Sequence, residues 1–153
     1  MITVVAVGKL KEKAWKELSD EYVKRITPYS KIEIIEVADE TNQMEELKVK
    51  KLEGERILKA IKKDSFVVLL DLRGRMLNSV ELSMKIEEIN TYHSSNITFV
   101  IGGSLGVSDD VYYRADYKWK LSDLTFPHNL VRILLLEQIY RSYRILNNEP
   151  YHK

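Results

Sequence analysis

The chain has 153 residues, enough for one domain with a buried core and too few for two ordinary ones, so a single domain over residues 1–153 is expected. Apolar residues make up 44% and charged residues 31%, no apolar run approaches the roughly 20 residues that cross a bilayer, and no signal peptide is visible, which favours a soluble globular protein. The lack of cysteine excludes disulfides, a thiol nucleophile and thiolate metal sites and fits a cytoplasmic location, while the net charge of +1 gives no global sign of nucleic-acid binding.

The first half of the chain predicts strands alternating with helices. An apolar run over Ile2–Val7 predicts a buried strand, and apolar residues at helical spacing predict a helix over Lys13–Ile26. Alternating apolar residues predict a second strand over Lys31–Val37, and a charged helix is expected over Met44–Ile61.

The second half continues this alternation. The predicted elements are a strand over Phe66–Leu72, a helix over Val80–Tyr92 with Ser79 as its N-cap, a strand over Asn96–Ile101, a short helix capped by Ser108, a strand over Tyr117–Leu121, and a helix from His128 to about Leu146. Alternating strands and helices predict an α/β fold, with a mostly parallel sheet and helices on both faces.

The last predicted helix is apolar around most of its circumference. Its apolar and aromatic residues are Leu130, Val131, Ile133, Leu134, Leu135, Ile139, Tyr140, Tyr143 and Ile145. A helix that is apolar on several sides is buried on several sides. In so small a domain, this pattern favours a homodimer over a monomer with a central helix.

Two loops follow predicted strands and are candidates for ligand binding. The glycines of Gly102–Gly106 match neither the dinucleotide fingerprint nor a phosphate loop, so they indicate a sharp turn or the close approach of a ligand. The run Leu121–Phe126 has no glycine and offers free backbone N–H and C=O groups suited to an adenine edge, although an ordinary connection capped by Thr125 is the alternative. Together they indicate a nucleotide-like ligand at the strand ends.

The three histidines have different contexts. His93 follows a helix among serines and is expected at the surface, whereas His128 opens the last helix, where a neutral imidazole can cap. His152 lies in a Pro-Tyr-His tail, which is either irrelevant or folded against something specific, because chain termini are usually disordered. No histidine pair or acid cluster has metal-ligand spacing, so no metal is expected.

Positive charge for an RNA partner would have to be local, since the net charge is small. The candidates are Lys9–Lys13, Arg73–Arg75, and Arg132, Arg141 and Arg144 of the last helix, and each is equally explained as a solvated face. The spacing of Glu137 and Arg141, four residues apart with the acid first, also suits an ordinary helix salt bridge, although beside an RNA site Arg141 and Arg144 would suit phosphate.

Five signatures occur in order along the chain. They are A-V-G-K at Ala6–Lys9, L-D-L-x-G at Leu70–Gly74, G-G-x-x-G at Gly102–Gly106, L-S-x-x-T-F-P-H at Leu121–His128, and P-Y-H at Pro150–His152. In this respect the chain resembles the RlmH family, the knotted SPOUT-class methyltransferases that act on large-subunit ribosomal RNA. The resemblance implies a homodimer whose C-terminal segment forms a trefoil knot, a feature that general rules of chain topology would not predict.

The resemblance also implies a cofactor and a substrate. The cofactor is S-adenosylmethionine, and the contacts carried over by position are Leu70, Gly102, Leu121, Ser122, Asp123, Leu124, Thr125 and Phe126. The substrate is N3 of pseudouridine 1915 of 23S rRNA in assembled ribosomes, where shape fit to a ribosomal surface would supplement the weak net charge.

Catalysis by such an enzyme requires alignment of N3 with the methyl group and help in removing the N3 proton. The candidates are His152 as base or orienter, Tyr151 as a stacking or hydrogen-bonding partner, and Arg141 as a stabiliser of the imide anion. In a dimer, the tail would serve the pocket of the neighbouring subunit, and water remains an alternative base.

Three other functions remain open from the sequence. One is a methyltransferase of the same class with another RNA target, such as tRNA, although the closing P-Y-H argues against it. The others are a non-catalytic nucleotide-binding α/β dimer, and a structural dimer joined only by its last helix.

Overall fold

The computed structural model describes residues 1–40 and 45–153, and within these ranges strands and helices alternate. The elements are β1 (Ile2–Val7), α1 (Lys13–Ile26), β2 (Ile32–Val37), α2 (Glu46–Ala60), β3 (Phe66–Met76), α3 (Ser79–Tyr92), β4 (Ile97–Ile101), α4 (Asp109–Arg114), β5 (Tyr117–Lys120) and α5 (His128–Leu146). The predicted alternation is therefore confirmed.

The strands form one sheet in the order β2-β1-β4-β3-β5, and every neighbouring pair is parallel. The apolar residues of α1, α3 and α5 pack on one face, and those of α2 and α4 pack on the other. Connections that run toward β2 cross the first face, and connections that run toward β5 cross the second. All four crossovers therefore have the same hand, as parallel sheets require. The predicted α/β class, with helices on both faces, is confirmed.

The centre of the sheet is apolar on both faces. Every residue of β1 and of β4 is buried. Val4 and Ala6 of β1 face the cluster formed with α1, α3 and α5, whereas Val5 and Val7 face the cluster formed with α2 and α4. This double burial explains why the strand reads as a continuous apolar run rather than an alternation.

Several predicted boundaries are confirmed and others are corrected. Helix α1 spans the predicted residues, and Ser108 caps α4 by accepting a hydrogen bond from the backbone N–H of Val111. Ser79 as the N-cap of α3 is wrong. The cap is Asn78, whose side chain accepts from the N–H of Glu81 while the Glu81 carboxylate accepts from the N–H of Asn78. This reciprocal capping box starts the helix at Ser79.

One further boundary differs from the prediction by more than one residue. Strand β3 continues to Met76, beyond the predicted end at Leu72, because it pairs with β5 a second time. The predicted start of α2 at Met44 lies outside the described residues, and the helix is described from Glu46. In the described ranges, no helix is long and apolar enough to cross a membrane.

Candidate active site

A cleft of about 530 Å³ lies where β4 and β5 end, beside residues 70–73 of β3. Its walls are residues 70–73 of β3, the loop after β4, the loop after β5 and the first turn of α5. Ligand sites in open α/β sheets occur at the carboxyl ends of the strands, and this volume is within the usual range for small-molecule sites. The cleft is therefore the leading candidate for the functional site.

The first wall is a bulge in β3, formed by Asp71–Gly74. Leu70 and Arg75 both align with Trp119 of β5, so the four intervening residues leave the ladder. At Gly74 the chain returns to the sheet so closely that a Cβ would lie 2.5 Å from the carbonyl carbon and oxygen of Lys118. The L-D-L-x-G signature thus encodes a wall of the cleft, with glycine required where the two backbones meet.

An ion pair holds the bulge in shape. The Asp71 carboxylate accepts hydrogen bonds from the Arg73 backbone N–H at 2.9 Å, from Nε at 2.8 Å and from Nη2 at 2.9 Å. The Arg73 guanidinium also lies 3.9 Å from the centroid of the Tyr112 ring. Burial alone would raise the pKa of Asp71, but the hydrogen bonds from Arg73 outweigh burial and lower it, so the carboxylate stays charged at neutral pH.

The second wall is the glycine loop, Gly102–Gly106, and two of its glycines are required by close packing. A Cβ on Gly102 would lie 2.5 Å from Cγ1 of Val107, and a Cβ on Gly103 would lie 2.5 Å from Oε1 of Glu53. Gly106 has a φ of +90°, a conformation that favours glycine. The loop is therefore shaped by contacts behind it, which leave its backbone facing the cleft.

Glu53 lies buried behind the glycine loop. Its Oε2 accepts the backbone N–H of Glu40 at 3.0 Å, whereas Oε1 has no hydrogen-bond partner among the described residues. Burial raises the pKa of this carboxyl, and the nearby charge of Asp39 raises it further. No local pattern identifies Glu53, because its role depends on a contact with Gly103, fifty residues away along the chain.

The third wall is the polar loop, Leu121–Phe126. Its residues from Ser122 onward make no backbone–backbone hydrogen bond within the described chain, and the Leu124 N–H is bonded to Oγ of Ser122 at 2.9 Å. The carbonyl groups and the other N–H groups remain available to a ligand. Thr125 does not cap α5. The N-cap is Pro127, and no side chain caps the helix.

The structure brings seven of the eight predicted cofactor residues to the cleft. They are Leu70, Gly102, Leu121, Ser122, Leu124, Thr125 and Phe126. Asp123 does not line the cleft, because its carboxylate points to an ion pair with Lys120 on the exposed side of the loop. Asp71, Arg73 and His128 also line it, although sequence reasoning did not assign them to a cofactor.

His128 lies at the cleft, and Arg132, one turn further along α5, is buried. His128 is half-buried at the cleft, and burial followed by the charge of Arg132 lowers its pKa, so the imidazole is neutral at neutral pH. Arg132 is 4% exposed, forms an ion pair with Glu36 and donates to the Gly8 carbonyl at 3.2 Å. Glu36 also accepts the Leu10 N–H at 2.9 Å. Arg132 as a candidate RNA contact is therefore wrong, because it is buried and paired.

The three predicted catalytic residues meet at the other end of α5, where they form a group around Glu137 that we term the tail cluster (Glu137, Arg141, Tyr151 and His152). Arg141 donates to Glu137 Oε1 from Nε at 2.9 Å and from Nη2 at 2.6 Å, and the Tyr151 hydroxyl donates to the same oxygen at 3.2 Å. The Arg141 guanidinium lies 4.6 Å from the Tyr151 ring centroid. The tail is thus folded against a specific surface.

Contacts within the tail cluster determine which nitrogen of His152 carries hydrogen and keep the Tyr151 hydroxyl protonated. Arg141 Nη1 lies 3.1 Å from Nδ1 of His152. Because a guanidinium only donates, Nδ1 accepts, and the hydrogen of a neutral imidazole is on Nε2. Burial and then the charge of Glu137 raise the pKa of Tyr151, so its hydroxyl stays protonated at neutral pH.

The tail cluster lies apart from the cleft of its own chain. None of its residues lines the cleft. His128 lies at the cleft and Arg141 is thirteen residues further along α5, a separation of about 20 Å at 1.5 Å per residue. One chain therefore carries a cleft of small-molecule size and a polar tail cluster that do not meet.

Known proteins are similar to this chain in sequence and in fold. A family model described as "Predicted SPOUT methyltransferase" matches residues 1–152. Proteins named ribosomal RNA large subunit methyltransferase H are 54% identical in Alkaliphilus oremlandii (strain OhILAs) and 50% identical in Acetivibrio thermocellus, each covering 99% of both chains. The chain belongs to the RlmH family of SPOUT methyltransferases.

A solved structure agrees at the level of fold. The probable methylase family protein from Haemophilus influenzae Rd KW20 superposes with a TM-score of 0.55 at 14% identity, covering 99% of this chain and 70% of that one. As an RlmH family member, this chain is an S-adenosylmethionine-dependent RNA methyltransferase, and its family implies the C-terminal knot.

The cleft suits the RlmH cofactor. Leu70, Leu121 and Phe126 supply apolar surface for an aromatic base, and the polar loop supplies unpaired backbone N–H and C=O groups for its edge. Gly102 has no side chain, so it presents only its backbone to the cleft.

Proposed function

We propose that this chain, acting as a single domain, methylates N3 of a pseudouridine in large-subunit ribosomal RNA. The observation that carries this proposal is the cleft at the ends of β4 and β5, beside the bulge of β3, which is lined by seven of the eight residues expected to hold S-adenosylmethionine. The names of its full-length relatives support ribosomal RNA as the substrate. The resemblance to the family implies pseudouridine 1915 of 23S rRNA in assembled ribosomes as the target.

The cofactor supplies an electrophilic methyl group on a sulfonium, and the protein must hold and orient it. The polar loop and Gly102 would hold the nucleoside through backbone groups, while the β3 bulge, fixed by the Asp71–Arg73 ion pair, closes the cleft from the side. A backbone-lined site is already organised before the ligand binds, which limits the entropy lost on binding.

We further propose that two copies of the chain form a homodimer in which the tail cluster of one completes the cleft of the other. The separation of about 20 Å along α5 prevents one chain from doing so alone. The apolar side chains of Leu72, Leu105 and Leu124 are exposed at the edge of the cleft, at 78%, 45% and 70%, and would be covered by the second copy. Several residues of α5 are also only partly buried within one chain.

The geometry of the tail cluster supports a division of roles. The imide nitrogen N3 is a poor nucleophile while it is protonated, so the site must stabilise the anion that forms when the proton leaves. Arg141 would supply a fixed positive charge, and Tyr151 a ring and a protonated hydroxyl. Since Nδ1 of His152 accepts from Arg141, its Nε2–H would donate to a carbonyl oxygen of the base, which favours an orienting role and leaves water to take the proton.

RNA phosphate would be contacted by cations that are not already paired within the chain. Arg141 and Arg144 are paired with Glu137 and Glu149. Lys9 and Lys11 are exposed, form no ion pair within the described ranges and line a second cavity beside the glycine loop. We propose that these two lysines contact phosphate. Recognition of an assembled ribosome by shape would need few phosphate contacts, so two lysines would be compatible with it. Such a substrate would place the protein in the cytoplasm.

The proposal is tested with purified protein and methyl-labelled S-adenosylmethionine. Assembled ribosomes, free 23S rRNA and tRNA are supplied separately. Label at one pseudouridine of the ribosomal substrate supports the proposal. Label in tRNA would retain the enzyme class and reject the target, and no label together with no cofactor binding by calorimetry would favour a non-catalytic dimer.

The role of the tail is tested with His152→Ala. We expect the Kd for S-adenosylmethionine to change by less than about twofold and turnover to fall by about a hundredfold, in the range for loss of a positioned catalytic group. His93→Ala is the matched control, because His93 is exposed after α3 and away from both sites. Unchanged turnover in His152→Ala would remove the residue from the mechanism.

A further inference from the structure

The chain reverses direction immediately after α5. Asn148 has a φ of +53°, the left-handed conformation that often ends helices. The Asn148 N–H donates to the Ile145 carbonyl at 3.1 Å, and the Glu149 N–H donates to the Arg144 carbonyl at 2.9 Å. This turn sends Pro150 and the residues after it back along α5 toward Arg141.

A polar group then holds the returning segment. Arg144 donates from Nη1 to the Glu149 carboxylate at 2.6 Å and from Nη2 to the Pro150 carbonyl at 2.8 Å. The Tyr29 hydroxyl, from the loop between α1 and β2, donates to the other Glu149 oxygen at 2.8 Å and accepts from Arg144 Nη1 at 3.1 Å. Tyr29, Arg144 and Glu149 therefore form a closed three-residue network, which we term the tail anchor.

The tail anchor is itself fixed to the core. The Tyr29 ring stacks on Tyr143 with centroids 5.8 Å apart and planes 6° from parallel, and Tyr143 is buried in the cluster beneath α5. Beyond the anchor, the Tyr151 ring meets Tyr140 edge-on at 4.9 Å. An otherwise free chain terminus is thus connected to the hydrophobic core just before the two residues assigned to catalysis.

We propose that the tail anchor is a positioning device, which fixes Tyr151 and His152 for methyl transfer without touching cofactor or substrate. This inference rests on the proposed function of the tail. Arg144 and Glu149 act through Pro150, since they fix the backbone directly before Tyr151. Termini without such contacts fray, and a displacement of about 1 Å in a catalytic group lowers turnover by as much as about a hundredfold.

The test compares Arg144→Gln, Tyr29→Phe and a matched control. Tyr29→Phe removes only the hydroxyl and keeps the stacked ring. Arg114→Gln is the control because Arg114 makes the same kinds of contact as Arg144, an ion pair with Asp116 and a hydrogen bond to a backbone carbonyl, that of Ser65. Arg114 lies near the start of β3, at the opposite end of the strand from the cleft.

Three quantities are measured for each full-length variant. They are turnover with assembled ribosomes, the Kd for S-adenosylmethionine by calorimetry, and the {1H}–15N heteronuclear NOE of the Tyr151 amide, which reports the order of the tail. For Arg144→Gln we expect turnover to fall at least about tenfold with an unchanged Kd and a lowered NOE, because misplaced groups reduce the reaction rate rather than cofactor binding. Tyr29→Phe should show the same pattern more weakly, and Arg114→Gln should leave all three unchanged.

Combining Arg144→Gln with Tyr29→Phe should lower turnover by less than the product of the two single effects, since both act on one network. Normal turnover in Arg144→Gln, while His152→Ala is inactive, would overturn the positioning role and leave the proposed function intact. Normal turnover in His152→Ala would instead reject the assignment of the tail to catalysis, and with it this inference. A Kd that rises as much as turnover falls would also overturn the inference, because it would indicate a general loss of structure.

Discussion

Gly102→Ala gives a direct test of how the glycine loop forms the cleft. The added Cβ would lie 2.5 Å from Cγ1 of Val107, whereas carbon atoms in contact are usually about 3.5–4.0 Å apart, so the loop and the valine must separate by about 1 Å. Overpacking of this kind costs about 1–3 kcal/mol. Gly102 has an ordinary backbone conformation, so the effect comes from the contact and not from backbone strain.

The expected result is weaker cofactor binding. The free protein can relieve part of this cost by moving the loop into the cleft, and S-adenosylmethionine must then push the loop back when it binds. If about 1.4 kcal/mol is relieved in this way, the Kd for S-adenosylmethionine rises about tenfold. Isothermal titration calorimetry measures the Kd, and urea unfolding checks that the variant is folded under the same conditions. The structure also predicts a rescue, because Val107→Ala removes the methyl group that the new Cβ meets.

The double variant Gly102→Ala/Val107→Ala provides the decisive comparison. Its Kd should return to within about threefold of the value for Val107→Ala alone, since contacting residues show coupled effects. If Gly102→Ala binds the cofactor as tightly as the natural protein, or if the double variant binds no better than Gly102→Ala, the packing explanation of the loop is refuted.

Three further changes test other parts of the structure. Arg132→Ala should lower the free energy of unfolding by about 3 kcal/mol in urea titrations, because it leaves Glu36 without its buried partner. Although burial would raise the pKa of Glu36, its hydrogen bonds lower it, so the pair stabilises the fold above the ordinary glutamate pKa and this contribution is lost on acidification. The acid-side loss of stability should therefore be smaller in Arg132→Ala. Glu53→Gln should raise the thermal midpoint at pH 7.5 but not near pH 4, since the raised pKa of Glu53 makes its charged form destabilising only above the ordinary pKa, and an equal gain at both values would contradict this. Gly74→Ala should destabilise more than Gly102→Ala in the same urea assay, because its Cβ meets the Lys118 backbone, which cannot rotate away.

Local patterns were sufficient to predict most of the fold. The strand over Ile2–Val7, the helix over Lys13–Ile26 and the start of α5 at His128 follow from apolar periodicity and from the positions of Pro28 and Pro127. These signals depend on neighbours within a few residues. The N-cap of α3 shows the limit of this approach, because Asn78 and Ser79 are both good capping residues and only the position of Glu81 distinguishes them.

The site was predictable where it follows from strand ends, and less so where distant residues decide its shape. The two loops were identified because parallel strands end at one edge of a sheet. Arg132 is only a candidate RNA contact from the sequence, and its burial could not be predicted because its partner, Glu36, lies ninety-six residues earlier. The contact between Tyr29 and Glu149 spans 120 residues, and no periodic pattern reports such a pairing.

The position of β4 has a consequence for synthesis of the chain. This strand lies between β1 and β3, so neither has its central partner until Ile97–Ile101 has been made. About 90 residues separate the end of β1 from the start of β4, which takes roughly 5–18 s at translation rates of about 5–20 residues per second. The backbone edge of β1 that will pair with β4 is an open template for pairing with other chains throughout that interval, and the corresponding edge of β3 is open from the time β3 is made. The nascent chain is therefore most exposed to aggregation late in translation, and slower elongation between β2 and β4 would lengthen that exposure.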